Sequence, residues 1–284
     1  MNNARYEQWR VRKLAGYPVS VEQLRVEIGG LTDLGEAERT AIIDVCSRSN
    51  MAIYKCRDGF VDRSAIRAFA SEFGLQRADL HLCAHDDGVS ELTVASEGTR
   101  TGYVPYSNRS LSWHTDGYYN AESRQVHSVV LHCAAVSALG GENELLDHEI
   151  AYIKLRDQDP RFITAFEHPN CMTIPANSTE PDQIRPEISG PVFSYARDGR
   201  SVFMRFSARK KNIRWREDKL TQEARDCLDE ILADRNGPVL RYRLEPGEGL
   251  ISNNVLHNRS SFSDSSKQKR HLYRARFFDR IETS

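Results

Sequence analysis

The spacing of apolar and polar positions changes along the chain. From Tyr6 to Ala15 the apolar side chains recur at helical intervals, and Gly16 and Pro18 follow, which predicts a short amphipathic helix. Ala37, Ala41, Ile42 and Val45 predict a second helix over 35–47, and "NMAIYKCRDGF" (50–60) then reads as a strand. "DRSAIRAFASEFG" (62–74) carries full helix punctuation. Asp62 is the N-cap, Ile66, Phe69, Ala70 and Phe73 form one face, and Gly74 lies past the end. After residue 90 the pattern shortens. "HSVVLHCAAV" (127–136), "SVFMRFSA" (201–208), "VLRYRLEP" (239–246), "GLISNNVLH" (249–257) and "RHLYRARFFDRI" (270–281) predict strands, several separated by turns such as 245–249. One helix interrupts them, over 221–235, with Ala224, Cys227, Leu228, Ile231 and Leu232 at helical spacing. The stretch 169–191 is rich in Pro, Asn, Ser and Thr and predicts a long loop of the kind that serves as a lid.

Many short strands with a few helices predict a β-sandwich or jelly roll with helical additions. At 284 residues the chain can bury a substantial core. Its 39 basic and 40 acidic side chains nearly cancel, so no charge excess points to nucleic acid. The N-terminus lacks the apolar core of a secretory signal, and no apolar run is long enough to span a membrane. The six cysteines are scattered without a C-x-x-C pair, as expected of reduced packing thiols in a cytoplasmic protein.

The candidate chemistry lies in "LSWHTDGYYN" (111–120). On an extended segment His114 and Asp116 share one face, so an imidazole and a carboxylate point the same way. A second histidine from elsewhere would complete a two-histidine, one-carboxylate triad, which leaves coordination positions open on Fe(II). A lone His-x-Asp is weak: His85-Asp86-Asp87-Gly88 has the same spacing and reads as a polar turn, while His127 and His132 read as packed strand residues. Downstream, His257 ends an apolar run. Arg270 follows thirteen residues later, and Arg274 projects from the same strand face about 13 Å further along at ~3.3 Å per residue. Same-facing arginines on an otherwise apolar strand need anions, and a guanidinium grips a carboxylate well. Internal ion pairs would meet that need as readily as a ligand.

The ordered set His114-Thr-Asp116, His257 and Arg270 resembles the Fe(II)- and 2-oxoglutarate-dependent dioxygenases of the taurine dioxygenase superfamily. "MAIYKCRDGFVDRSAIRAFASEFG" resembles that family's N-terminal strand and helix, and "LGGENELLDHEIAY" its Gly-Gly-acid-Thr segment. "NNVLHNRSSF" is similar to the gamma-butyrobetaine hydroxylase branch. The resemblance covers most of the chain. It implies an α+β, mainly β fold: a distorted double-stranded β-helix (cupin-like jelly roll) with flanking helices, as one catalytic domain over 1–284. Residues 1–90 would pack on a core formed by 91–284.

The roles it implies are iron ligation by His114, Asp116 and His257, and a grip by Arg270 on the distal carboxylate of 2-oxoglutarate. Asn143 stands where the family often has threonine, and an amide can also donate to that co-substrate. Arg274 matches a second arginine that in some members meets an anionic group of the substrate, and Tyr118 is the candidate aromatic contact. The reaction implied is hydroxylation of a small polar or anionic metabolite, with O2 consumed and succinate and CO2 released. Because Asp116 fills the carboxylate position, hydroxylation is expected over halogenation. Tyr103, Tyr106, Trp113, Tyr118 and Tyr119 are read as core or sheet-face aromatics rather than a cage for a quaternary ammonium. Homo-oligomers are common in the family. The rival functions are a zinc hydrolase-like metal enzyme and a catalytically silent jelly-roll binding module, neither of which needs Arg270 at that offset.

Overall fold

The computed structural model describes residues 3–57, 61–177, 185–196, 199 and 201–282. Two antiparallel-dominated sheets carry the fold. The larger has six strands in the order Arg25–Ile28, Met51–Cys56, Glu248–Ser252, Ser128–Ala135, His271–Phe277, Val89–Leu92. The smaller has four, in the order Leu240–Tyr242, Asn143–Leu146, Leu256–Arg259, Leu111–His114. A cavity lies between them: Ile53, Val129, Leu131, Leu250 and Arg274 line it from the larger sheet, and Leu145, Tyr242, His257 and Arg259 from the smaller. This is a jelly roll of distorted form, since the two sheets face each other without closing.

The helices follow their punctuation. Arg63–Ser71 starts where the Asp62 carboxylate accepts the Ala65 N–H at 2.8 Å, and Gly74 follows it at φ +76°. Glu36–Ser49 stops at Asn50, which takes the left-handed conformation at φ 56°. The predicted helices at 6–15 and 221–235 are present as Asn3–Gly16 and Lys219–Ala233.

Three expectations change. Helices His148–Gln158 and Pro160–Phe166, capped by Asp147 and Asp159, stand in a region read as β-rich. The first hides its periodicity because it is buried nearly all round, His148, Glu149 and Ile150 included. The expected single strand at 249–257 is two strands, one in each sheet. Asn253 and Asn254 break it, with Asn254 at φ 51°, a conformation that short polar side chains tolerate best. The expected lid loop at 169–191 is a hairpin in its described part: Met172–Ile174 pairs antiparallel with Ile188–Gly190. Residues 178–184 of that stretch lie outside the described residues.

Two apolar clusters fill the interior. One lies about the larger sheet and the N-terminal helices, and the other joins the 148–166 helices, Lys219–Ala233 and the hairpin. His132 is a packed strand histidine, as expected, stacked on the Tyr54 ring at 5.8 Å. Burial pushes His132 down to about 4, and burial with the Arg280 cation pushes His127 down to about 4. His85 sits in the expected polar turn, its carbonyl accepting the Gly88 N–H.

His127 and His132 both contribute to a pH dependence. Their folded values lie below the ordinary ~6.5, so as pH falls from there toward 4 the unfolded chain takes up protons first. Stability is therefore full above about pH 6.5 and declines below it, by up to about 1.4 kcal/mol per pH unit for each histidine. Thermal melts of the metal-free protein should show Tm dropping steadily from about pH 7 to pH 5; a level profile would contradict the assignment.

Candidate metal centre and co-substrate pocket

His114 ends the Leu111–His114 strand and pairs in register with His257 on the neighbouring strand. Their rings lie 4.2 Å apart between centroids. Each ring is oriented from behind: His114 Nδ1 lies 2.9 Å from the Ser112 carbonyl, and His257 Nδ1 lies 2.9 Å from the Val255 carbonyl. A carbonyl can only accept, so both Nδ1 atoms carry the proton and both Nε2 lone pairs are free for a cation.

Asp116 converges on the same point, although by a different route from a continuing strand. The strand stops at His114 and the chain turns. Asn254 holds that turn, accepting the Asp116 N–H at 2.8 Å and donating to the Asp116 carbonyl at 3.0 Å and the Val126 carbonyl at 2.7 Å. Gly117 follows at φ +69°, where a Cβ would come within 2.5 Å of Val126 Cγ2. Thr115 points away, its hydroxyl accepting the Phe206 N–H. The ligand atoms of His114, Asp116 and His257 all fall within 4.8 Å of one another.

The electrostatics suit a divalent cation. Burial, with the His257 imidazole beside it, pushes His114 down to about 3, so it is neutral and ready to ligate. Burial alone would raise the Asp116 carboxyl, but the guanidiniums of Arg274 and Arg276 overcome it and hold the group well below the usual carboxylate range. Arg274 Nη1 donates to Asp116 Oδ1 at 3.0 Å. Asp116 Oδ2 is buried and has no hydrogen-bond partner among the described residues. A buried carboxylate oxygen without a donor is costly. Two free imidazole nitrogens and this orphaned oxygen together fit an iron ion.

Arg270 lies just before the His271–Phe277 strand that carries Arg274, and both line the cavity. Arg270 is 6% exposed. Its guanidinium rests over the Phe262 ring at 5.1 Å and makes no hydrogen bond or ion pair among the described residues. Burial pushes it down to about 10, which leaves it charged at neutral pH. Asn143 lines the cavity too, its amide donating to the Asn258 carbonyl at 2.9 Å. Tyr118 stands edge-on to His114, with ring centroids 6.4 Å apart, and its hydroxyl accepts from Arg209. Of the other candidate aromatics, Tyr106 is buried in the first core and Trp113 packs on the second.

Two charged residues at the site, Arg276 and Asp79, were not singled out from the sequence. Arg276 reaches Asp116, Tyr119 and Asp79; Asp79 is its buried counter-ion. Arg259 lines the cavity while donating to the Ser107 and Arg109 carbonyls. The repeat Arg274-Ala-Arg276 signals a doubled cation on one face, whereas Asp79 gives no local signal.

Asn254 yields a test of how the turn supports the site. Asn254→Ala should cost about 3 kcal/mol in denaturant unfolding, because three buried backbone groups lose their partner and alanine resists the left-handed backbone. Asn254→Gly should be milder by about 1 kcal/mol. Both variants should weaken Mn(II) binding in calorimetry; wild-type affinity in both would separate the turn from the metal centre.

Comparison with known proteins agrees with this geometry. Residues 12–276 match the family model described as taurine catabolism dioxygenase TauD, TfdA family. AAD-2, solved with Mn(II) and N-oxalylglycine, superposes with a TM-score of 0.63 at 15% identity, over 91% of this chain and 94% of that one. A putative alpha-ketoglutarate-dependent taurine dioxygenase from Burkholderia xenovorans gives 0.63 at 16% identity, over 92% and 91%. Asparagine oxygenase, solved with Fe(II), 2S,3S-3-hydroxyasparagine and succinate, gives 0.57 at 15% identity, over 98% and 92%. At these identities the superpositions speak for the shared fold, and the family model speaks for descent: the chain belongs to the TauD/TfdA family and is a 2-oxoglutarate-dependent, non-haem iron dioxygenase.

Proposed function

We propose that the enzyme hydroxylates a C–H bond of a small, anionic metabolite, that His114, Asp116 and His257 hold the iron, and that Arg270 holds the distal carboxylate of 2-oxoglutarate. The observation that carries this reading is the Arg270 guanidinium, buried in the cavity of the three proposed ligands and making no hydrogen bond or ion pair to an acid among the described residues. A guanidinium in that state favours a carboxylate strongly. When bound, the iron supplies the redox chemistry that couples decarboxylation of 2-oxoglutarate to oxidation of the substrate. The chain supplies position: the paired strands fix both imidazoles, Asn254 fixes the carboxylate, and the apolar walls of Ile53, Leu131 and Leu250 exclude water. The Asn143 amide lies on the same wall and is assigned to the co-substrate.

The charge of the cavity supports an anionic substrate. Three guanidiniums, Arg259, Arg270 and Arg274, line it against one carboxylate, Asp116. A ferrous ion and a 2-oxoglutarate dianion cancel each other, so the cationic surplus remains for the third partner. Arg274 Nε, buried and without a hydrogen-bond partner among the described residues, is the donor assigned to it, with Tyr118 at the edge of His114 as the aromatic contact. The empty space of the cleft is about 760 Å³ when the open solvent at its mouth is included.

A zinc hydrolase or a silent binding module leaves Arg270 without a purpose. No helix among the described residues is long and apolar enough to cross a membrane. Five of the six thiols are buried, in keeping with a reducing, cytoplasmic setting. We take 1–284 as one catalytic domain.

Anaerobic addition of Fe(II) and 2-oxoglutarate should produce a charge-transfer absorption band in the wild type. Arg270→Ala should bind Mn(II) normally but raise the Kd for 2-oxoglutarate on the order of 100-fold, the loss of one buried charge-assisted pair. Asp116→Ala should abolish succinate formation coupled to substrate. An unchanged 2-oxoglutarate affinity in Arg270→Ala would remove that residue from the co-substrate site.

A further inference from the structure

We infer that Arg276 is a positioning residue for the metal centre: anchored by Asp79 and Tyr119, it joins Arg274 in occupying Asp116 Oδ1, so that Oδ2 alone is presented to the cation. This rests on the reading of His114, Asp116 and His257 as metal ligands. Arg276 is among the most deeply buried side chains of the protein, at 2% exposure. Its Nη2 donates to Asp79 Oδ2 at 2.6 Å, and its Nη1 donates to the Tyr119 hydroxyl at 2.8 Å. The same Nη1 lies 3.7 Å from Asp116 Oδ1, the oxygen that Arg274 Nη1 reaches at 3.0 Å. Both contacts fall on Oδ1 and none on Oδ2. The two oxygens of one carboxylate are therefore made unequal.

The chemistry follows from that inequality. A free carboxylate can offer a cation one oxygen or both. Guanidiniums that draw on the Oδ1 lone pairs disfavour the second mode, which keeps one more coordination position for co-substrate and O2. Asp79 makes the arrangement rigid. It too is 2% exposed, its backbone N–H donates to the Arg276 carbonyl at 2.8 Å, and its carboxylate also meets Asn120 and Arg124. The planar fork of Arg276 thus spans from one buried carboxylate to the other.

A merely structural ion pair predicts something different, and a paired substitution separates the two. Arg276→Gln takes from buried Asp79 its closest cation, leaving only the longer contacts of Asn120 and Arg124, so its Tm should fall. Asp79→Asn/Arg276→Gln removes both charges and should recover most of that Tm. If Arg276 acts through Asp116, the double variant should still bind Mn(II) about 10–100-fold more weakly than wild type, as loss of an orienting partner does. Arg276→Lys, which keeps the charge opposite Asp79 without the fork, should fold and also bind Mn(II) more weakly. Wild-type Mn(II) affinity in a stable double variant, or in Arg276→Lys if the double variant does not fold, overturns the inference. Failure of the wild type itself to bind Mn(II) would instead overturn the metal centre.

Discussion

A carboxylate buried at 5% exposure must be compensated, and the protein compensates Asp116 on one side only. Stripping a charge of water costs several kcal/mol unless partners replace the lost hydration. Arg274 and Arg276 do so at Oδ1, while Oδ2 has no partner among the described residues and the ligand atoms of His114, Asp116 and His257 lie within 4.8 Å of one another. A fold tolerates such a cluster of acceptors only where a cation completes it. The surrounding architecture can be understood as what holds this unfinished polyhedron open: two strands in register for the imidazoles, an asparagine in a left-handed turn for the carboxylate, and a second buried acid, Asp79, to anchor the second guanidinium.

The same constraint explains the order of charges behind the site. Asp79, Arg276, Asp116 and Arg274 alternate in sign, so each buried charge faces its opposite. Arg270 departs from that alternation: buried, cationic, and placed toward the cavity over the Phe262 ring without an acid. Structural pairs are satisfied within the protein, whereas a group kept for a ligand is left wanting one. Arg274 and Arg270, similar in sequence context, are told apart by this physical difference.

That difference also marks what could be read from the chain. The proposed ligands and Arg270 were legible as candidates because their signals are local: a His-x-Asp spacing, a histidine closing an apolar run, and an arginine at the inward spacing from Arg274. The start of the helix at 148–158 was not, because its first six residues are all buried and helical periodicity is visible only when one face is wet. The break at Asn253-Asn254 was hidden by apolar neighbours that suit a strand on either side. Even the correct expectation for Asp116 had an incomplete cause, since its direction depends on Asn254, 138 residues away in sequence. Asp79 is illegible for the same reason: a counter-ion brought in from another element leaves no periodic trace.

Strand parity ties these parts together. His271–Phe277 is paired on both sides, with Ser128–Ala135 and Val89–Leu92, so its register is fixed twice over. A slip of one residue would turn Arg274 and Arg276 to the opposite face. That face holds Ala275 and Phe277 in the apolar core with Phe69 and Ile66 of the Arg63–Ser71 helix. Guanidiniums there would be buried without acids, at several kcal/mol each, while Asp116 and Asp79 lost their partners. The charges that shape the metal centre therefore also exclude the alternative pairing. Specificity of fold and geometry of the site are the same electrostatic fact, seen from the two faces of one strand.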